Sequence, residues 1–109
     1  MITALVQYDL PPHIDLLACA AHYRGIAPSF RSVPGLISKQ FIYSKDGRGG
    51  GVYLWKTREA AEVFYSGPWL EGIRQRYGVD PRITYFNTAC VTDNVSQTVL
   101  LPEAVDIEL

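Results

Sequence analysis

Five aromatic residues, Tyr53, Trp55, Tyr65, Trp69 and Tyr85, offer this chain flat apolar faces for a planar ligand, and hydroxyl or indole donors for its oxygens. Tyr53 and Trp55 stand two apart, so in a strand both point to one face. Aromatics also build cores and subunit interfaces, and that role stands beside the pocket role for each of them. His22 is the candidate general base, because histidine alone titrates unperturbed near neutral pH. A hydrogen-bonded or partly exposed helix histidine is the equal alternative. His13, at a proline-rich helix entry, reads as a surface residue. Arg74 and Arg76 suit an anionic substrate, although arginines late in a helix also interact favourably with its dipole. Asn87 and Gln7 project from strands, where each either orients a substrate oxygen or satisfies a polar neighbour.

Other chemistries lack their marks. No Cys/His/carboxylate set has metal-ligand spacing, no G-x-S-x-G elbow is present, and the glycines between Gly47 and Gly51 do not follow the dinucleotide fingerprint. Cys19 and Cys90 lie far apart, each in an apolar segment, and read as two buried thiols. Lys plus Arg number 10 against 11 for Asp plus Glu, a formal net charge of -1, which argues against a nucleic-acid partner. No apolar run approaches the ~20 residues of a membrane helix, and the N-terminus opens as a strand instead of a signal peptide. A cytoplasmic protein with no membrane partner is expected.

The 109 residues, 48% hydrophobic and 19% charged, suit one globular domain, since half the chain would be too short to bury a core. Ile2 to Tyr8 is rich in strand formers and stops at Asp9-Leu10-Pro11-Pro12. Ile14, Leu17, Ala18 and Ala21 recur at helical spacing behind Asp15, and the pattern fades between Gly25 and Pro28. Leu36 to Ser44 and Gly51 to Lys56 are two strands joined by a polar loop carrying Asp46-Gly47, a hairpin signal. Thr57 is an N-cap for a helix that breaks at Ser66-Gly67-Pro68 and restarts as a second piece to Tyr77, stopped by Gly78.

Arg82 to Val91 is expected as the fourth strand. It has apolar residues on both sides, as strand two does, whereas a sheet with one wet face alternates cleanly. The order β-α-β-β-α-β is that of ferredoxin-like α+β folds, with helices on one face of a four-stranded antiparallel sheet. The other apolar face then calls for a second copy, sheet against sheet. The expected domain spans 1–94. The extension 95–109 is expected to form a strand over Val95 to Leu101 that crosses to the partner, then a loose acidic tail.

The Pro34-Gly35-Leu36 entry to strand two, the Gly50-Gly51-Val52-Tyr53-Leu54-Trp55 strand, the Thr57-Arg58-Glu59-Ala60-Ala61 helix start and the closing Phe86-Asn87 resemble the dimeric α+β barrel superfamily. Within it the chain is most similar to YdhR-type monooxygenases, related to the antibiotic-biosynthesis monooxygenases. The resemblance implies a homodimer with a pocket in each subunit between sheet and helices. It also implies oxygenation of an aromatic, polycyclic or quinol-like molecule without flavin, haem or metal. The deprotonated substrate would itself reduce dioxygen, leaving the protein to bind an aromatic anion, help remove its proton and exclude water.

On that basis His22, Tyr53 and Trp55 are the expected catalytic residues, and Tyr65, Trp69, Tyr85, Asn87 and Arg74 the expected substrate contacts. Haem-degrading members of the superfamily carry a histidine on the helix after this strand, and here Thr57 to Gly78 contains none. The alternatives are a non-catalytic dimeric protein holding a hydrophobic metabolite, and a lyase or isomerase of the same fold.

Overall fold

The computed structural model of the chain describes residues 1–103. Its elements run β1 (Ile2–Asp9), α1 (Leu16–Ile26), a 3-10 turn (Ala27–Ser32), β2 (Leu36–Ser44), β3 (Arg48–Trp55), α2 (Arg58–Tyr65), α3 (Pro68–Tyr77), β4 (Arg82–Asn87), β5 (Val91–Asp93) and β6 (Thr98–Leu100). Four strands form one antiparallel sheet in the order β2-β3-β1-β4. This is the ferredoxin-like α+β arrangement expected from the element order, with β1 and β2 separated by β3 as a split β-α-β unit requires. No helix among the described residues is long and apolar enough to cross a membrane.

The helix ends are set locally. The Asp15 carboxylate accepts the Ala18 amide at 2.7 Å and the Thr57 hydroxyl accepts the Ala60 amide at 3.1 Å, each satisfying a first-turn donor without a helical partner. Pro68 begins α3 where its missing N–H costs nothing, and Gly78 ends it with φ 73 while donating to the Arg74 carbonyl at 2.9 Å.

Alternation sorts the strands. Ile2, Ala4, Val6 and Tyr8 of β1 face the helices and are buried, as are Tyr53 and Trp55 of β3. On the other face the register sets Leu5 beside Val52, and Thr3 between Leu54 and Phe86. Phe86 is 54% exposed and Leu5, Val52 and Leu54 are only half-buried, so an apolar sheet face lies open in the single chain.

Several boundaries differ from those expected. β3 begins at Arg48, so its glycines are part of the ladder and not of the loop. Only Gly47, at φ 88, holds the left-handed conformation of the turn. Strand four ends at Asn87, and the chain re-enters a ladder as β5, which pairs with β6 in a separate hairpin, Val91 opposite Leu100. Because the sheet stops before it, Cys90 is exposed, while Cys19 is buried as expected. The strand expected over Val95 to Leu101 therefore forms over Thr98–Leu100, paired within the chain. The loose tail expected at the end lies, from residue 104 on, outside the described residues.

Gly50 marks the tightest point of the sheet. A Cβ placed there would stand 1.8 Å from the Val6 carbonyl oxygen, whereas one at Gly25 in α1 would meet nothing within 4 Å. Gly50→Ala is expected to lose stability at or above the ~1–3 kcal/mol typical of overpacking. Gly25→Ala is expected to gain about 0.5–1 kcal/mol from helix propensity. Urea unfolding midpoints of the two variants check both signs.

Candidate active site: an aromatic cavity between helices and sheet

A cavity of about 240 Å³ lies between the sheet and the helical layer. Val6 and Tyr8 of β1, Lys39 and Phe41 of β2, and Gly50 and Tyr53 of β3 form its floor. Its other walls are His22, Tyr23 and Ile26 of α1, Phe30 of the 3-10 turn, and Trp69, Gly72, Ile73, Arg76 and Tyr77 of α3. The floor exists because β3 is short of side chains here. A Cβ at Gly49 would stand 2.6 Å from the Tyr23 hydroxyl, and one at Gly51 would stand 2.9 Å from Lys39 Cε.

Hydrogen bonds and ring contacts fix the walls. The hydroxyls of Tyr8 and Tyr23 are 2.5 Å apart, and the Tyr23 hydroxyl also accepts the Gly50 amide at 3.1 Å. Tyr77 stacks on Tyr8 with centroids 4.4 Å apart. Burial pushes the hydroxyls of Tyr8, Tyr23 and Tyr53 well above the usual phenol range, so all three stay neutral at physiological pH. Each is then a hydrogen-bond donor or acceptor and not an acid.

The basic groups of the wall differ in exposure. Arg76 is exposed and His22 half-buried, which puts them on the solvent side. Burial, and then the Arg76 charge, hold the His22 imidazole below its usual value, so it is neutral at pH 7 and able to accept a proton. Lys39 lies deeper. Its Nζ is 3.7 Å from the Phe30 ring centroid, 3.8 Å from Phe41 and 4.5 Å from Tyr53. Among the described residues no carboxylate lines this cavity, and burial brings the Lys39 amine down to about 7.

Of the residues singled out from sequence, His22, Tyr53, Trp69 and Arg76 meet at this cavity. Trp55 and Tyr65 pack beside it in the core, Trp55 fully buried and donating its indole N–H to the Tyr65 hydroxyl at 3.1 Å. Trp55 stacks on Tyr53 at 5.8 Å and 4°, so the shared face expected for the pair is observed. Tyr85 lies against Tyr65 and under the Arg58 guanidinium, 4.3 Å from its ring. Asn87 ends β4 opposite Ile2. Arg74 points away from the cavity, paired with Asp80 at 2.7 Å and Glu71 at 3.1 Å on the exposed side of α3. Gln7 accepts from Arg48 on the outer sheet face.

Sequence reasoning missed Tyr8, Tyr23, Phe30, Lys39, Phe41 and Tyr77. The signal available for Lys39 was a lysine alternating with Phe41 on the inward side of a strand, a position where a charge is costly. Among the described residues no cluster of His, Cys, Asp or Glu is placed to hold a metal ion.

No family model matches this sequence, and no curated protein matches it. Solved structures do match. The NE2512 protein of unknown function from Nitrosomonas europaea is 11% identical with a TM-score of 0.68, over 83% of this chain and 90% of that one. A monooxygenase from the ActVA-Orf6 gene of Streptomyces coelicolor, in complex with nanaomycin D, is 19% identical with a TM-score of 0.58, over 78% and 84%. SnoaB, a cofactor-independent oxygenase from Streptomyces nogalater, is 13% identical with a TM-score of 0.58, over 80% and 91%. The chain therefore has the α+β fold that its resemblance implied, one it shares with monooxygenases.

Lys39 makes a pH-dependent contribution to folding. Unfolded, the amine holds its proton to about pH 10.4, whereas the buried amine releases it near 7. In between, the unfolded state binds more protons, so stability rises with pH across that window. Lys39→Met is expected to melt above wild type near neutral pH, with the gap closing toward about pH 10. Parallel thermal melts across that range check the sign, and a gap that stays constant with pH refutes it.

Proposed function

We propose that this chain is a cofactor-independent monooxygenase of the cytoplasm, acting as a homodimer on a hydroxylated aromatic, polycyclic or quinol-like molecule. The observation that carries the proposal is a cavity walled by aromatic rings and basic nitrogens, with no carboxylate in its lining among the described residues. Such a site prefers a planar ligand carrying negative charge. Its volume, about 240 Å³, lies just below the ~300–1,000 Å³ of typical ligand pockets, which favours a compact ligand. The likeness to an oxygenase described as cofactor-independent and to a monooxygenase holding nanaomycin D supports the same reading.

In this reading Phe41, Tyr53 and Trp69 flank the ring system, and the neutral tyrosine hydroxyls hold its oxygens. His22 accepts a proton at the solvent side, with Arg76 nearby to favour the anion. The deprotonated substrate gives an electron to dioxygen, and the apolar walls keep water from the intermediate. Trp55 and Tyr65 act by holding Tyr53 in place. Tyr85, Asn87 and Arg74 approach the substrate only if the partner subunit or ligand binding rearranges their surroundings.

Oxygen-electrode assays with an anthrone and a hydroquinone panel test the activity on metal-free, colourless protein. Uptake above the uncatalysed rate is expected. Gly72→Leu should reduce it by ~10- to 100-fold, because that glycine lines the cavity and an added Cβ would meet nothing within 4 Å. The extra side chain then occupies the ligand's space without crowding the core. No uptake with any member of the panel overturns the oxygenase, and turnover without oxygen supports a lyase or isomerase.

The open face bearing Leu5, Val52, Leu54 and Phe86 is the proposed dimer surface. Light scattering at micromolar concentration is expected to give a dimer for wild type and a monomer for Leu54→Glu. A wild-type monomer refutes the assembly.

A further inference from the structure

A lysine amine seated among aromatic faces inside a ligand cavity is an unusual use of a costly group. Lys39 comes from an inward position of β2, and its ammonium would be flanked by Phe30, Phe41 and Tyr53. The lysine stem lies over Gly51, where a Cβ would come within 2.9 Å of Cε. Among the described residues no carboxylate forms an ion pair with it. The titratable groups that share its cavities are His22 from α1, Arg31 from the 3-10 turn, Arg76 from α3, and the tyrosine hydroxyls from β1, β3, α1 and α3. None of them is a carboxylate. An unliganded ammonium here has no counter-ion, and an anionic ligand would supply one.

We propose that Lys39 is the internal base of this pocket, taking the proton of an arenol ligand and holding the product as an ammonium–arenolate pair. The inference rests on the planar hydroxylated ligand of the proposed function, and it moves the deprotonation from His22, where the proposed function puts it, to Lys39. The ligand O–H bond breaks with its electron pair left on oxygen, and the amine lone pair forms a new N–H bond. Net charge in the cavity is unchanged and no oxidant takes part. The amine caps the Phe30 and Phe41 rings and lines the same cavity as Tyr53 and Trp69, so an arenol held in that cavity has the amine as a neighbour. The capped rings also favour the ammonium once it forms, through their negative faces. His22, on the solvent side, competes with water for the same task.

A hydroxyanthraquinone dye, whose neutral and anionic forms differ in visible absorption, tests the inference without oxygen present. Bound to wild type, the dye is expected to show an acid dissociation constant raised about tenfold or more over solution. The increase should persist in His22→Gln and vanish in Lys39→Met. Side-chain NMR of lysine Cε in wild type should find one amine titrating near 7, moved upward by the dye. A dye that does not bind, that binds as the neutral arenol, or that keeps its shift in Lys39→Met overturns the inference. So does a lysine spectrum with no depressed amine. A Lys39-dependent shift in a protein that consumes no oxygen would sink the oxygenase reading alone.

Discussion

Tyr23 reaches from α1 to rest its hydroxyl on the backbone of β3, and it can do so only because Gly49, Gly50 and Gly51 present no side chains there. That bare strip of sheet governs the rest of the helix-facing layer. With Cβ atoms on it, the tyrosine hydroxyl, the Lys39 stem and the Val6 carbonyl would all collide. Without them, Tyr8, Tyr23 and Tyr77 pack together along a gap that Tyr53, Phe41 and Trp69 also line. The cavity is the space that three glycines leave beneath a layer of large aromatics.

Beyond the glycines the same strand turns to bulk. Tyr53 and Trp55 are nearly free of solvent, and Tyr65 meets both edge-on at 5.3 and 5.6 Å. Aromatic contacts of this kind contribute about 0.5–1.5 kcal/mol each beyond their buried area, and the Trp55 to Tyr65 hydrogen bond satisfies a donor that would be costly to bury alone. One strand therefore supplies both the hole and the rigid wall beside it. Surface ion pairs such as Arg58 with Glu62 are half-exposed and add little by comparison.

The polar inventory of the cavity has a consistent sense. Its Tyr8, Tyr23 and Tyr53 hydroxyls are held neutral by burial, its imidazole is kept neutral by burial and a neighbouring guanidinium, and its amine is drawn toward neutrality by burial. Desolvation is the common cause, and its effect is to ready bases and keep phenols protonated. An apolar pocket that retains such groups without a carboxylate is suited to a ligand that brings its own negative charge.

The chain order of strands and helices, the acidic start of α1 at Asp15, the cap at Thr57, the break before Pro68 and the stop at Gly78 were all legible in the sequence, because each depends on a few adjacent residues. So was the pairing of Tyr53 with Trp55 on one face, which follows from strand periodicity alone. The end of β4 was not, since Ala89, Cys90 and Val91 continue an apolar pattern that only the missing sheet partner cuts short. Nor was the cavity wall. Sequence separates Tyr8, Tyr23, Lys39 and Tyr77 by tens of residues, and nothing local tells Lys39 from a solvated lysine or Arg74 from Arg76. Adjacency across β1, β2 and α3 decides those identities, because burial and charge partners are properties of the packed layers and not of any one element.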